Sequence, residues 1–453
     1  MPQDTPPFVI TEDWPTPIVR DFDWFLDAAA QPTAFLTKAK RTLDRASLHA
    51  ANAKMLTFQS EAHPRMDQEY YALLNLFQRI CMSARLHVPG IARGKLRMQP
   101  TASLTLFRAL SPAERYLALL EAMWVECDWE ELRSKHSWTP TLSFGELPKL
   151  LARAPAGNEV RARERPRTPR DKRLSAVFRM PDAVRILSFF GFLTCTAARE
   201  SMRAAYYKGE TEIASFTLSP LGKAFLPVLA AERPYEDWNQ PLLQGGDEVA
   251  FSPLGFLFGD EEEPEEEPSD AGELSAEEGD ETPPEPFYQP FCHLLPEGAV
   301  TRGLPRVRGE LKDQTFVFRV SLARSWHCSD AISRTIAMSS EHTLDHLHRA
   351  IQHALRFDND HLYAFYMDGK RHSRHAYNDP RGGEGPLADE APVGLLDLYP
   401  HQRILYMFDF GDSWEFDVEL LEVRDEHHKG WPKVIAETGE APQQYPSCDE
   451  DDE

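Results

Sequence analysis

One segment of the chain cannot contribute to a folded core, and it divides the sequence into two parts. From Asp260 to Pro286 there are 14 acidic residues and five prolines, with no lysine or arginine. Leu274 is the only large apolar residue in this run. Because the carboxylates repel one another and little apolar surface is present, burial cannot offset the entropy lost on ordering. We therefore expect residues 259–286 to be a disordered acidic linker rather than a mimic of nucleic acid.

The acidic linker also accounts for most of the charge of the protein. The formal net charge is -23, and the last five residues of the chain, from Asp449, are acidic as well. The rest of the sequence is therefore only slightly acidic, so the overall charge does not exclude contact with nucleic acid. With 453 residues, of which 42% are hydrophobic, the chain can form several domains with ordinary cores.

Targeting and cofactor motifs are missing from the sequence. The first residues are acidic and rich in proline, unlike a secretory signal. The longest apolar stretch, around residues 186–194, is shorter than the roughly 20 residues that span a bilayer. The six cysteines contain no CxxC pair, and no P-loop, dinucleotide fingerprint or serine nucleophile elbow occurs. We expect a cytoplasmic protein with no membrane contact and no cofactor, and the sequence does not indicate an oligomeric state.

Residues 1–160 are predicted to form a mainly helical region. Apolar residues recur at intervals of three and four over residues 70–86, which indicates an amphipathic helix. A second helix is expected to begin after Ser111, because Pro112 follows it and Glu114 completes a capping box. Ser143 is expected to cap a third, shorter helix.

Residues 161–258 contain a pattern that resembles part of a winged helix-turn-helix domain. A predicted helix over residues 180–193 reaches Gly191 as its stop signal. Residues 213–218 then alternate as in a strand, and Ser219 with Pro220 starts another helix. This order resembles the wing and the closing helix of winged-helix domains. A similar order of elements over residues 70–107 suggests an internal duplication.

A basic segment precedes the winged-helix-like pattern. It contains seven cationic residues, Arg161, Arg163, Arg165, Arg167, Arg170, Lys172 and Arg173, against the two acidic residues Glu164 and Asp171. Such a segment can contact DNA phosphates without reading the base sequence, because it releases counterions from the backbone. The alternative is an exposed loop whose charges meet the acidic linker of the same chain.

Residues 287–453 are predicted to form a separate α+β domain. Apolar residues alternate in a strand from Thr315 to Ala323, and further strands are expected over residues 333–339 and 361–369. Ser340 precedes a predicted helix. Its apolar stripe comprises Leu344, Leu347, Ile351 and Leu355.

The strongest local signal is a β-hairpin around residue 411. Gly411 and Asp412 are predicted to form a two-residue turn in which the glycine adopts a positive φ. Asp409 would then lie opposite Trp414, at the end of the core face of the sheet. That core face would comprise Leu405, Met407, Trp414, Phe416 and Val418, with Tyr406 and Phe408 on the opposite face.

These elements together resemble the Ri-plasmid ORF-three-like family over about Thr315 to Arg424. The resemblance rests on the segments TLDHLHRAIQHAL, HLYAF and YMFDFGDSWEF. It implies an α+β module found among plasmid- and transposon-associated proteins, some of which are labelled resolvases without an activity to carry over. The chain departs from the family where Ser333 replaces a frequent Trp, Phe416 replaces a frequent His, and EAPQQYPSCDEDDE replaces a Cys-containing tail. These departures argue against a shared centre of His and Cys side chains.

The predicted C-terminal domain offers two candidate sites. The candidate residues of the first are Asp409, Asp412, Trp414, His348 and His361. His342 and His346 are spaced like two metal ligands on one helical face, but no HExxH motif or paired cysteine accompanies them, so capping and surface roles are favoured and no metal is predicted. Asp409, Phe410 and Gly411 spell the magnesium motif of kinases, whose other motifs are absent. No catalytic residue is assigned.

We therefore predict a non-enzymatic protein associated with mobile elements. Its winged-helix-like front half would bind DNA or another protein, and its ORF-three-like domain would serve as an interaction module. Two alternatives remain open. One is a nucleic-acid-processing enzyme of resolvase or nuclease type with a site near Asp409 and Asp412, and the other is a pure protein–protein adaptor.

Overall fold

The computed structural model describes residues 7–37, 41–60, 63–133, 141–162, 168, 173–197, 212–244, 285–306, 311–323, 331–373, 375–382 and 385–445. The acidic run up to residue 284 and the acidic tail lie outside these residues, as do Arg163, Arg165, Arg167, Arg170 and Lys172. The described residues combine helices with antiparallel sheets, which confirms the α+β class. Among them, no helix has the length and apolar character needed to cross a bilayer.

The helices lie mainly in the front half and the strands mainly in the C-terminal part. Helices α1 to α12 are Ile18–Ala29, Arg45–Asn52, Ala72–Ser83, Ala102–Arg108, Pro112–Glu121, Trp129–Leu132, Thr141–Ala152, Pro181–Phe189, Pro220–Glu232, Tyr235–Trp238, Gln240–Gln244 and Leu344–Leu355. Strands β1 to β5 are His87–Ala92, Lys95–Pro100, Glu159–Arg161, Leu193–Ala197 and Ile213–Leu218. Strands β6 to β12 are Thr315–Leu322, Ser333–Ser339, Tyr363–Tyr366, Ala376–Asn378, Arg403–Phe408, Trp414–Arg424 and Lys433–Thr438.

Local capping signals set two of the predicted helix starts. The Ser111 hydroxyl accepts from the Glu114 N–H at 3.2 Å, and the Glu114 carboxylate accepts from the Ser111 N–H at 2.9 Å, so the capping box is confirmed. Ser219 caps α9 by accepting from the Gly222 N–H at 2.9 Å. The predicted cap at Ser143 is wrong. Helix α7 already begins at Thr141, so Ser143 lies inside it.

Two units of the front half share one order of elements. In each unit a helix, α3 or α8, leads into an antiparallel strand pair and then into another helix. The pairs are β1 with β2 and β4 with β5. In each unit an earlier piece of chain also joins the second strand of the pair. The Leu36 N–H donates to the Leu96 carbonyl in β2 at 2.7 Å, and β3 pairs with β5.

Helices α3 and α8 are buried in the core of the front half. In α3 the buried side chains include Leu73, Leu76, Phe77 and Ile80, as the spacing predicts, and in α8 they include Ala183, Val184, Ile186 and Leu187. The two helices pack against each other. The helix that follows the second strand pair, α9, contributes Phe225, Leu226 and Leu229 to the same core.

The chain returns to the core of the front half directly after the acidic run. Phe287 and Phe291 belong to that core, and the Phe291 ring lies 5.2 Å from the ring of Phe225. Arg233 donates from its Nε to the Phe287 carbonyl at 3.2 Å. The sequence-based boundary assigned these residues to the C-terminal domain. A short apolar run carries no periodic signal that identifies its packing partner, so this contact could not be read from the sequence.

The C-terminal module is one seven-stranded antiparallel sheet with α12 on one face. The strand order is β12-β7-β6-β11-β10-β8-β9. Phe318, Val320 and Ile336 on the sheet pack with the predicted stripe of α12 in a second core. The helix starts later than predicted, because its N-cap is Thr343 rather than Ser340.

The predicted register of the hairpin is wrong by one residue. Phe408 lies opposite Trp414, Tyr406 opposite Phe416, and Ile404 opposite Val418. The core face therefore comprises Ile404, Tyr406, Phe408, Trp414, Phe416 and Val418. Leu405 and Met407 lie on the other face, where they pack with Ala364 and Tyr366. A shift of one residue moves every side chain of a strand to the opposite face.

The side chain of Asp409 explains the shift in register. Its Oδ1 accepts from the N–H groups of Gly411 at 2.9 Å and of Asp412 at 3.2 Å. This local bonding widens the connection, so that residues 409–413 form the loop instead of a two-residue turn. The positive φ values belong to Asp409 and Ser413, both at 55°, and not to Gly411.

The C-terminal module contacts the front half through ion pairs and through Tyr399, whose side chain belongs to the front core. Arg85 forms a two-pronged ion pair with Asp397, with the Nη2 to Oδ1 distance at 2.8 Å. Nε2 of His375 lies 3.2 Å from Oε1 of Glu131. The other carboxylate oxygen of Glu131, Oε2, lies 2.9 Å from Nη1 of Arg79. These contacts hold the β8–β9 end of the sheet and its neighbouring loops against the helices of the front half.

Trp414 is expected to be essential for the C-terminal core. Its indole is fully buried against Phe357, with ring centroids 4.9 Å apart, so Trp414→Ala should cost about 3–5 kcal/mol of unfolding free energy. Phe410→Ala, in the exposed loop next to it, should cost less than about 0.5 kcal/mol. Urea unfolding of the two variants measures the difference. Equal midpoints for Trp414→Ala and the wild type would show that the described core face is incorrect.

Cutting the chain within the acidic run should not separate its two parts. We expect a protein with a protease site inserted after Ala271 to elute as one species from a sizing column after complete cleavage, because Phe287 and Phe291 pack in the front core. A Phe287→Ala, Phe291→Ala variant should instead release the two fragments more readily. Separation of the cleaved parent protein would contradict this packing.

Candidate functional site

Two loops meet at one end of the C-terminal sheet and define the candidate site. Helix α12 ends at Leu355, and the loop 358–362 follows it and leads into β8. Strand β10 ends at Phe408, and the loop 409–413 follows. The Asp409 N–H donates to the Leu362 carbonyl at 3.0 Å, which joins the two loops.

The predicted site residues divide into three environments. Asp409 is nearly buried, and its Oδ2 lies 3.4 Å from Nε2 of His361, so these two side chains meet as expected of one site. Asp412 is exposed at the tip of the loop. Trp414 points into the core, and His348 is fully buried. The structure therefore does not gather all five side chains around one point.

His348 belongs to a chain of hydrogen bonds with a defined direction. Gln352 donates from Nε2 to the Tyr406 hydroxyl at 2.8 Å, and that hydroxyl lies 2.7 Å from Nδ1 of His348. Nε2 of His348 lies 2.9 Å from Oδ1 of Asn359, which also accepts from Arg381 at 3.2 Å. Since Oδ1 of Asn359 only accepts, Nε2 of His348 carries the proton, and Nδ1 accepts from Tyr406. Both ring nitrogens are thus used within the protein.

Burial keeps the groups of this chain neutral. It lowers the pKa of His348 to about 4, against the opposing effect of the bond to Asn359. Burial also raises the pKa of Tyr406 well above its ordinary value. The ring of Tyr363 stacks on His348 at 3.7 Å, and its hydroxyl donates to Asp345 at 2.8 Å. The arrangement is suited to holding the helix, sheet and loop together, and it directs no lone pair of His348 toward solvent.

Arg381 ties the loop 358–362 to the sheet. It pairs with the buried Asp379 through Nη2 and Oδ2 at 2.6 Å and donates to the carbonyl oxygens of Asn359 and His361. The C-terminal residues Gln444 and Tyr445 brace the same loop. Gln444 bonds to both backbone groups of Asp358, at 2.6 and 3.2 Å.

The histidines near the start of α12 form a separate cluster with Trp431. The ring of His346 lies 5.2 Å from that of His342 and 5.1 Å from that of Trp431. Nδ1 of His342 accepts from the Ser339 N–H at 3.0 Å, and Nδ1 of His346 accepts from the Thr343 N–H at 3.2 Å. Each neutral ring therefore carries its proton on Nε2 and has no lone pair left for a metal. Within the described ranges no group of three or more His, Cys, Asp or Glu side chains could hold a metal ion.

Of the seven cationic residues of the basic segment, two fall within the described residues. Arg161 ends β3, is exposed, and pairs with Glu159 at 2.8 Å. Arg173 is exposed at the start of the next described stretch. The other five candidate residues of this segment lie outside the described residues.

Sequence reasoning missed several residues that shape the site. Tyr406 was assigned to the wrong face, and Asn359, Arg381 and Tyr445 carried no motif or periodic signal. The polar run at residues 358–361 between a helix and a strand was the one available hint, because such loops often carry functional groups.

The fold and these two loops define a small α+β module, an antiparallel sheet covered by one helix. Residues 314–445 match the family described as plasmid pRiA4b ORF-3-like protein, which confirms the resemblance seen in the sequence of the C-terminal module.

Two further proteins resemble this part of the chain. The uncharacterized protein y4hQ of Sinorhizobium fredii (strain NBRC 101917 / NGR234) is 28% identical over 119 residues, which make up 26% of this chain and 59% of that protein. The chain thus spans less than two thirds of this relative. A crystal structure of a protein of unknown function from Methanosarcina mazei Go1 matches with 22% identity and a TM-score of 0.24, covering 29% of this chain and 72% of that one.

The module should lose stability in mild acid. Burial, followed by the charges of His346, His428 and His427, lowers the pKa of His342 to about 4, and burial does the same for His348. Because these pKa values lie below the ordinary 6.5, the unfolded state binds more protons as the pH falls from 6.5 to 4, and stability is lost across that window. Chemical unfolding at several pH values tests this.

His342→Asn isolates the contribution of one histidine. The Asn oxygen can accept from the Ser339 N–H without titrating, so we expect a shallower loss of stability between pH 6.5 and 4 than in the wild type. His353→Asn, an exposed change on the same helix, serves as the control and should leave the slope unchanged. Identical slopes in all three proteins would contradict a lowered pKa of His342 in the folded state.

Proposed function

We propose that the protein is a non-enzymatic binding protein whose front half contacts DNA phosphates through the basic segment 161–173. The supporting observation is the position of Arg161. Arg161 is the last residue of β3, the outer strand of the three-stranded sheet β3-β5-β4. The basic segment therefore begins at the edge of that sheet, and it ends at Arg173, shortly before α8.

The topology of this unit supports a winged-helix interpretation. Helix α7 is followed by β3, by a 3-10 turn at Ala176–Arg179, by α8, and by the pair β4 and β5. The first strand of the unit, β3, pairs with the last one, β5. Winged-helix domains have the same strand order. The related order of elements around α3, β1 and β2 fits a second, similar unit.

The burial of α3 and α8 favours contact with the DNA backbone over reading of bases. A helix-turn-helix domain places its recognition helix in the major groove. Here every residue of α3 and α8 is buried or half-buried, and the two helices pack against each other, so neither presents an exposed face to a groove. Backbone contact by a flanking basic segment needs no such rearrangement, and it carries no base specificity.

The C-terminal module favours binding over catalysis. Its buried His348 and Tyr406 bond to each other, and Asp379 pairs with Arg381. Asp409 uses one carboxylate oxygen to shape its own loop. A general base or a nucleophile must reach a substrate, and these groups are committed to the fold. We therefore assign the module an interaction role in a mobile-element-associated protein.

Neutralising the basic segment tests the DNA proposal. Changing Arg161, Arg163, Arg165 and Arg167 to Gln in the full chain should weaken binding to unrelated DNA duplexes to a similar extent. The slope of log affinity against log salt should fall by up to about 0.9 for each lost phosphate contact. Fluorescence anisotropy with labelled duplexes at several salt concentrations measures both effects.

A matched control removes the same charge elsewhere. Changing the exposed residues Lys54, Arg65, Lys429 and Lys433 to Gln should leave the salt slope unchanged. If both quadruple variants behave alike, the overall charge and not this segment controls binding. Unchanged affinity of the segment variant would remove DNA contact by the basic segment from the proposed function.

A further inference from the structure

The two loops at the end of the sheet expose three large apolar side chains. Leu362 is 43% exposed, Phe410 45% and Tyr445 45%. Leu362 and Phe410 are neighbours, because the Asp409 N–H bonds to the Leu362 carbonyl. The Tyr445 hydroxyl donates to Oδ2 of Asp360 at 2.5 Å, and its ring lies 6.4 Å from that of His361, which contacts Asp409. The three side chains therefore border one continuous surface, here called the 410 surface.

The fold explains every part of the loop at Asp409 except the tip. Asp409 bonds to the loop backbone, Ser413 adopts a positive φ, and Trp414 fills the core. The side chains of Phe410 and Asp412 have no such role among the described contacts, and both residues are exposed. Exposing an apolar ring to water at the tip of this loop is unfavourable, and the ring does not add to the stability of the fold. Such exposure is expected of a residue that contacts a partner.

Carboxylates surround the apolar side chains of the 410 surface. Asp358, Asp360 and Asp412 are exposed there. The pKa of Tyr445 is raised to about 12 by its bond to Asp360, then by burial and by the nearby charges of Asp360, Asp409 and Asp358.

Most nearby cationic groups are already paired. Arg381 pairs with Asp379, and Arg371 pairs with Glu415 at 3.3 Å. His361 lies against Asp409. Among the described residues near this surface, Arg356, next to the end of α12, is exposed and forms no ion pair, and an excess of negative charge remains on the 410 surface.

We propose that the 410 surface binds a proline- and arginine-rich peptide, and that the segment 161–173 of this chain is such a ligand. Pro166 and Pro169 in that segment have the Pro-x-x-Pro spacing, with Arg165 and Arg170 directly outside them. Pro-x-x-Pro segments adopt an extended helix that docks on exposed aromatic side chains with a small loss of entropy. Flanking arginines pair with carboxylates, and the 410 surface supplies both kinds of group.

This interaction would compete with the proposed contact between the segment and DNA, because the same arginines would serve both. The peptide interaction itself does not rest on DNA binding. A test without DNA can therefore fail or succeed independently of the function proposed above.

A peptide titration on the full chain tests the proposal. The receptor is the full chain with its own motif disabled by Arg165→Ser, Pro166→Ala, Arg167→Ser and Pro169→Ala. The probe is a fluorescent synthetic peptide of residues 161–173. We expect saturable binding, measured by anisotropy, that weakens about tenfold with Phe410→Ala in the receptor, the loss typical of an aromatic anchor. Asp360→Asn should weaken binding and flatten its salt dependence.

Two controls make the outcome decisive. Ile435→Ala changes an equally exposed residue, 46% exposed, on β12 at the far edge of the sheet, and should alter affinity by less than about twofold. A peptide with both prolines changed to alanine should bind more weakly. Absence of saturable binding, equal effects of Phe410→Ala and Ile435→Ala, or undiminished binding of the proline-free peptide would each overturn the proposal.

The wild-type chain tests whether its own segment is a ligand. If segment 161–173 occupies the 410 surface, the wild-type chain should bind the added peptide more weakly than the disabled receptor. Equal affinity of the two proteins would reject the segment as an occupant.

Discussion

The carboxylate of Asp409 is the contact on which the C-terminal module depends. By accepting from the N–H groups of Gly411 and Asp412, it sets the length of the loop between β10 and β11. The loop length sets the register of the two strands, and the register decides which side chains face α12. Tyr406 is buried beneath the helix for this reason, within reach of His348, and Phe410 is left at the exposed tip.

The polar chain from Gln352 to Arg381 shows how the module is held once the register is set. A buried tyrosine, histidine and glutamine are costly unless each polar atom that points inward finds a partner. Here the bonds run from α12 through β10 to the loop 358–362, so forming them also fixes the loop, although the buried Oε1 of Gln352 has no hydrogen-bond partner among the described residues. The same loop carries Asp358, Asp360 and Leu362 of the 410 surface. A rigid polar interior thus supports an exposed surface whose side chains are pre-positioned for a partner.

Most elements of the fold could be predicted from the sequence, because alternation and helical spacing are local. The strand at Thr315, the stripe of α12 and the capping box at Ser111 are examples. The hairpin register could not be predicted, since a side-chain bond to the backbone changes the loop length without changing the alternation. The site was found only in part. Asp409 and His361 were recognised, but Tyr445 and Arg381 come from distant parts of the chain, and only the fold brings them to the loop.

Two contributions to stability change in opposite directions with pH. One comes from the contact between the module and the front half, and the other from the interior of the module. The bond to Glu131 raises the pKa of His375 above the ordinary 6.5, so this contact is fully present below 6.5 and is lost as the pH rises through the raised value. Although burial opposes its ionisation, Arg79 and His375 lower the pKa of Glu131 to about 2, so the carboxylate stays charged across this range. His342 and His348 have lowered pKa values, so their contribution is lost below 6.5. The two effects together place the most stable docked state near pH 6.5, where His375 is still largely protonated and the histidines of the module are largely neutral.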